Sequence, residues 1–191
     1  MDHRHFIVYK PFGFLSQFIY EKKRSKKLLG ELFDFPKNTM AIGRLDEDSE
    51  GLLFLTTDGM MSEIVRGKQL EKEYFAQVDG IIDQSAVNLL ENGVEIGVKG
   101  TKYVTKNCKA RLIETPDLPH RKIRDERHGP TSWVSLTLTE GKFRQVRKMT
   151  AAVGFPTLRL VRVRIGEVEL GDLQPGNVSE VPDLLTPKPL S

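Results

Sequence analysis

The amino-acid sequence predicts an α+β protein with a mixed or antiparallel central sheet flanked by helices. Strand-like segments outnumber helical ones, and they lack the regular βαβ alternation of a parallel fold. The 191 residues, 39% hydrophobic and 29% charged, hold enough apolar material for a core without a disulfide or metal staple. We expect residues 1–185 to form one domain, or two small lobes sharing one sheet, with a loose tail at 186–191.

Taken in order, HFIVY (5–9) reads as a strand ended by the turn signal Pro11-Phe12-Gly13. KKLLGELFD (26–34) places Leu28, Leu29 and Leu32 at helical spacing before Pro36, so a helix is expected. LLFLT (52–56) is too short for a helix and reads as a buried strand. Asp58 and Asp83 stand where N-caps would open helices over GMMSEIVRG (59–67) and QSAVNLLEN (84–92), the second leaving through Gly93. YFAQV (74–78) is a strand. Beyond Gly93 the chain turns strand-rich: WVSLTLTEG (133–141) alternates Val134, Leu136 and Leu138 with polar residues, then turns at Glu140-Gly141. QVRKMTAAVG (145–154) is helical with Val146, Met149 and Val153 inward, and TLRLVRVRIG (157–166) reads as a strand with one buried and one basic face. Residues 101–131, charged and dotted with proline, read as a long irregular insert.

The single Cys108 fits a reducing compartment and simple packing. No stretch has signal-peptide or membrane-span character, so a soluble cytoplasmic protein is expected. His3, His5, His120 and His128 have no metal-ligand spacing. The net charge of +3 is unevenly spread. Residues 141–164 carry Lys142, Arg144, Arg147, Lys148, Arg159, Arg162 and Arg164 and no acid, whereas five acids face Lys188 alone after residue 164. Together with the basic N-terminal thirty residues, this footprint points to a polyanion such as nucleic acid.

The segment GRLDEDSEGLLFLTTDG (43–59) crowds Asp46, Glu47, Asp48 and Glu50 against an apolar run. As a calcium loop, Asp46, Asp48, Glu50, Gly51 and Leu53 fit, but the twelfth position, which needs a bidentate Glu, is Thr57. A structural ion-pair cluster around Arg44 accounts for Glu47 and Glu50 individually. A catalytic carboxylate is the third reading. It must be ionised and rigidly held, and a guanidinium within about 4–6 Å lowers an acid's pKa by about 1–3 units. Arg144, Arg147 and Lys148, at i, i+3 and i+4, offer such a cation.

This segment resembles the signature of the RsuA-type pseudouridine synthase family, G-R-L-D-x-D-[ST]-E-G-L-L-hydrophobic-L-T-x-D-G. YKPFG (9–13) resembles the family's opening N-K-P-x-G motif, EKEYFAQV (71–78) its K-x-Y element, and EGKFRQVRKM (140–149) its closing E-G-x-x-R-Q-V-R-R-M. Tyr9, Phe12 and Phe143 depart from the usual Asn, Tyr, and Asn or His. The S4 domain that typically begins family members is not expected in this sequence. The resemblance implies the pseudouridine synthase catalytic fold, with an active-site cleft across the sheet. It implies isomerisation of a uridine in bacterial 23S ribosomal RNA, without cofactor or metal, by a protein expected to be monomeric.

By the same resemblance Asp46 is the catalytic aspartate, acting by attack on the ribose or by elimination through a glycal. Tyr74 stacks on the target base, and Arg147 keeps Asp46 ionised. Arg44 fills the gap left by a flipped nucleotide or holds the catalytic loop. Lys10, Arg44, Lys142, Arg144, Lys148, Arg159 and Arg162, with Arg164, are expected to contact RNA. Trp133 is expected in the core. Two other readings are a non-catalytic RNA-binding or ribosome-assembly protein of the same fold, and a glycosidase, which would need a second catalytic acid.

Overall fold

The computed structural model describes residues 3–19 and 26–186. The chain divides into two compact units, residues 1–70 with 162–191 and residues 71–161. Of the tail expected at 186–191, residues 187–191 lie outside the described residues.

In the first unit, β1 (His5–Lys10) is buried along its whole length. Its branched and aromatic residues suit a strand covered on both faces. β2 (Phe14–Leu15) pairs in parallel with β3 (Lys27–Leu28), and a 3₁₀ turn follows at Leu29–Glu31. The helix expected over 26–34 therefore does not form. Leu28 and Leu29 are both buried, but through a strand bridge and a tight turn, and Gly30 weakens the helical alternative. β4 (Met40–Ile42) and β1 flank β5 (Glu50–Thr56), each antiparallel to it, and β13 (Val178–Val181), at the end of the chain, pairs with the other edge of β1. Phe6, Val8, Leu29, Leu53 and Leu55 form the core here, with Phe18, Leu32 and Phe35 packed against it. Helix α1 (Gly59–Gly67) opens as expected, Asp58 Oδ1 accepting from the Met60 N–H at 2.9 Å.

The second unit begins with β6 (Lys72–Asp79) and α2 (Gln84–Asn92), where Asp83 Oδ1 accepts from the Ala86 N–H at 2.8 Å. α2 stops at Gly93, whose φ of 88° and close approach to Thr105 admit no other residue: a Cβ there would lie 2.3 Å from the Thr105 carbonyl oxygen. β7 (Glu95–Val98) and β8 (Thr101–Val104) form a hairpin, and β9 (Lys109–Ile113) and β6 flank β10 (Thr131–Leu138), both antiparallel to it. Strands β8 and β9 thus lie within the stretch expected as an irregular insert, which is irregular at 105–108 and at 114–130, apart from a 3₁₀ turn at Glu126–His128. Trp133 lies in the core as expected, 7% exposed. Helix α3 (Gln145–Ala152) sends Val146 and Met149 into a core shared with Ala76, Val87, Leu90 and Leu136.

β11 (Thr157–Ile165) carries the chain from the second unit back to the first, where β12 (Val168–Glu169) turns antiparallel onto its end. Its arginines do not form a basic face, because a period of two sends Arg159 to the side opposite Arg162 and Arg164. Arg159 and Arg162 are both buried. The architecture is α+β with a mixed sheet and three α-helices among the described residues. None of these helices is long and apolar enough to cross a membrane.

Candidate active site

Asp46 lies on the loop between β4 and β5, in a turn closed by the Ser49 N–H donating to the Asp46 carbonyl at 3.0 Å. The loop is clamped on both sides of the aspartate. The Ser16 hydroxyl donates to the Leu45 carbonyl at 2.8 Å and accepts from the Leu45 N–H at 2.9 Å. The Gly13 N–H donates to the Glu47 carbonyl at 2.8 Å, and the Glu47 carboxylate pairs with Lys26 at 2.5 Å. Fixing the backbone of residues 45 and 47 restricts where a half-buried Asp46 side chain can point. Nothing in the sequence singles out Ser16, since a small polar loop residue shows its partners only once the chain is folded.

Downstream of Asp46, Gly51 has φ 105°, and a Cβ on it would lie 2.3 Å from the Arg162 carbonyl oxygen. The Arg162 guanidinium, 3% exposed, donates through Nε to the Leu52 carbonyl at 2.7 Å. Arg162, expected on RNA, is instead an internal tie between β11 and β5. The same correction holds for Lys10. It is fully buried, and its ammonium donates to the carbonyls of Pro11 (2.9 Å) and Phe14 (2.7 Å). Burial pushes the Lys10 pKa down to about 8, against the pull of Glu50, Asp46, Asp48 and Glu47, in that order. Lys10 is the cation behind the acidic turn rather than a phosphate contact. Arg44 is exposed, as an RNA contact requires. Glu50 is buried at 2% exposure. Among the described residues no group of three or more His, Cys, Asp and Glu side chains is arranged to hold a metal.

The second unit holds the other expected residues. Tyr74, on β6 opposite Leu136, is half-buried and packs against the core. Arg147, on α3, is half-buried and sends Nη1 toward the Thr157 carbonyl at 3.4 Å. Arg144 does not continue the helical face of Arg147 and Lys148, because it sits at the N-cap in the left-handed conformation, φ 54° and ψ 35°. Lys148 Nζ donates to the Gly97 carbonyl at 2.6 Å, and Lys142 is exposed. Arg159 is 4% exposed and donates to the Pro119 carbonyl at 2.9 Å, so it anchors the irregular segment instead of reaching solvent.

Glu140 is a residue whose structural role the sequence hides. It accepts from Tyr103 Oη (2.5 Å), the Lys106 N–H (2.9 Å) and Gln145 Nε2 (2.6 Å). Burial alone would raise its pKa, but these hydrogen bonds outweigh burial and hold it below the usual value. Cys108 is half-buried against the core, and burial pushes its thiol up to about 11, which fits packing rather than reactivity.

A family profile described as RNA pseudouridylate synthase matches residues 4–152. The chain belongs to this family, isomerases that convert uridine in RNA to pseudouridine. A protein named ribosomal large subunit pseudouridine synthase E, from Vibrio parahaemolyticus, is 40% identical over 186 residues, spanning 95% of this chain and 75% of that protein. Its namesake from Xanthomonas campestris pv. campestris is 43% identical over 176 residues, spanning 89% of this chain and 91% of that protein. A crystal structure of a pseudouridylate synthase superposes with a TM-score of 0.75 at 26% identity, covering 94% of this chain and 70% of the other.

Proposed function

We propose that this chain isomerises one uridine of large-subunit ribosomal RNA to pseudouridine, as a cytoplasmic monomer without a cofactor. The observation that carries the reading is the aspartate turn, clamped at residues 45 and 47 and backed by a buried lysine. Two relatives named as large-subunit synthases support the choice of RNA. The reaction breaks the N1–C1′ bond, turns the base and joins C5 to C1′. A proton leaves C5 and N1 ends protonated, so no oxidant or acceptor is consumed.

Asp46 is the group that acts on the ribose. Tyr74 stacks on the extruded base and assists removal of the C5 proton, and Arg147 keeps Asp46 charged. Arg44, Lys142, Arg144 and Lys148 hold flanking RNA, offsetting the few kcal/mol that base extrusion costs. Asp46→Asn removes the charge and keeps the shape. It should reduce tritium release from 5-labelled uridine in a large-subunit transcript to background, while RNA affinity and Tm stay near wild type. Release at the wild-type rate would refute the role of Asp46. RNA binding without release by the wild-type protein would favour a non-catalytic RNA-binding protein.

A further inference from the structure

Phe143 is the most exposed aromatic side chain among the described residues, at 67%, and an isolated exposed Phe is ordinary by itself. The loop beneath it is not ordinary. Residues 140–145 are closed on themselves: the Lys142 N–H donates to Gln145 Oε1 (2.8 Å), the Gln145 N–H to the Lys142 carbonyl (3.1 Å), and Gln145 Nε2 to Glu140 (2.6 Å). Glu140 is itself held by Tyr103 and Lys106, and Gln145 is 4% exposed. The exposed ring is thus carried on a fixed turn rather than on a loose one.

Its surroundings are cationic. Lys148 Nζ stands 5.3 Å from the Phe143 ring centroid while donating to the Gly97 carbonyl, and Lys142 Nζ stands 4.7 Å from the Tyr103 ring centroid. Arg144 follows in the left-handed conformation. One face of Phe143 is therefore backed by an anchored ammonium, and Lys142 and Arg144 are its neighbours on either side in the chain. A protein-binding hot spot would want apolar neighbours, since charge is depleted at interface cores. Aromatic rings set among lysines and arginines are what single-stranded nucleic acid uses, the base stacking on the ring and the phosphates meeting the cations.

We propose that Phe143 is a stacking platform for an unpaired base flanking the target uridine, with Lys142 and Arg144 on the adjoining phosphates. The assignment rests on the proposed RNA substrate and on Arg147 serving the chemistry. Arg147 is four positions beyond Phe143 in the chain, at most about 15 Å between Cα atoms, so the stacked base belongs within a few nucleotides of the one modified.

The test titrates wild type, Phe143→Ala, Phe143→Leu and Phe143→Trp with a single-stranded oligonucleotide and, separately, with the large-subunit transcript. Phe143→Ala and Phe143→Leu should each weaken binding roughly tenfold, without a change in Tm or in the slope of log Kd against log salt. Phe143→Trp should bind at least as tightly as wild type. Lys142→Ala should instead flatten that slope by about 0.7. Unchanged affinity in Phe143→Leu would overturn the proposal, because Leu keeps apolar contact and loses stacking. So would a Phe143-dependent dimer in sedimentation, which would make the ring a protein contact. If wild type binds RNA through Phe143 yet releases no tritium, the enzymatic reading fails and the platform stands. If it releases tritium and Phe143 is silent in every titration, the platform alone fails.

Discussion

Lys10 is a fully buried lysine whose ammonium faces the carboxylates of the acidic turn. A lysine beside a proline-glycine turn in a basic N-terminal segment reads as a phosphate contact. The fold instead places its ammonium in the interior, on the carbonyls of Pro11 and Phe14 and within reach of four carboxylates. Its burial has a measurable consequence. With the ordinary value at 10.5 and the folded value at about 8, the unfolded chain holds a proton between those limits that the folded chain has released. Stability therefore rises with pH across that window, by roughly 3 kcal/mol at most. The gain is complete above about 10.5 and lost as pH falls to about 8. Urea melts of wild type and Lys10→Met from pH 7 to 10.5 should diverge, wild type gaining on the variant as pH rises. Parallel curves would mean that Lys10 is ordinary in the folded state.

At the scale of elements, what could be read in advance follows from how local each signal is. The caps Asp58 and Asp83 mark α1 and α2 because an N-cap needs only its own next two or three residues. β5 announces itself as an apolar run because it is buried along its whole length. β9 does not, because only Ala110 of its five residues is buried, which leaves no alternation to see. The segment 26–34 misleads because Leu28 and Leu29 are buried by β2 and a 3₁₀ turn, partners absent from any local window. Gly51 lies between these cases: its place in the motif is plain, its reason is not. The reason is a backbone-to-backbone approach, with a Cβ falling 2.3 Å from the Arg162 carbonyl oxygen and 2.7 Å from the Arg162 nitrogen. Because backbone has no rotamer to yield, Gly51→Ala should lose about 3 kcal/mol or more, counting the strain at φ 105°. For a chain of this size that is a fall in Tm of roughly 6–12 °C. A Tm within about 2 °C of wild type would show that β11 can move aside without loss.

Over the whole molecule, the seven cations of residues 141–164 look like one basic surface in sequence and separate into distinct populations in the fold. Lys142 is exposed, whereas Arg159 and Arg162 are buried and donate to the Pro119 and Leu52 carbonyls. Period-two patterning cannot make that division, because a buried arginine on a backbone carbonyl and a solvated one share the same letter. The two populations should respond to different measurements. Lys142→Ala should weaken RNA binding and flatten its salt dependence while leaving Tm alone. Arg159→Ala and Arg162→Ala should each lower stability by about 1.5–3 kcal/mol, the worth of a hydrogen bond from a charged donor. They should leave the salt slope of the folded protein unchanged. Arg147 belongs to neither population if it serves Asp46 as proposed. A charge pair at about 4 Å in an effective dielectric near 20 is worth about 4 kcal/mol before desolvation. Arg147→Ala should then slow single-turnover isomerisation on the order of 10²-fold with little change in Kd at any salt. Arg147→Lys should recover only part of the rate, because an ammonium cannot present a planar fork to a carboxylate. Single-turnover rates and binding isotherms across one salt series separate these outcomes. An Arg147→Ala variant that keeps its rate and loses only salt-dependent affinity would place Arg147 among the phosphate contacts.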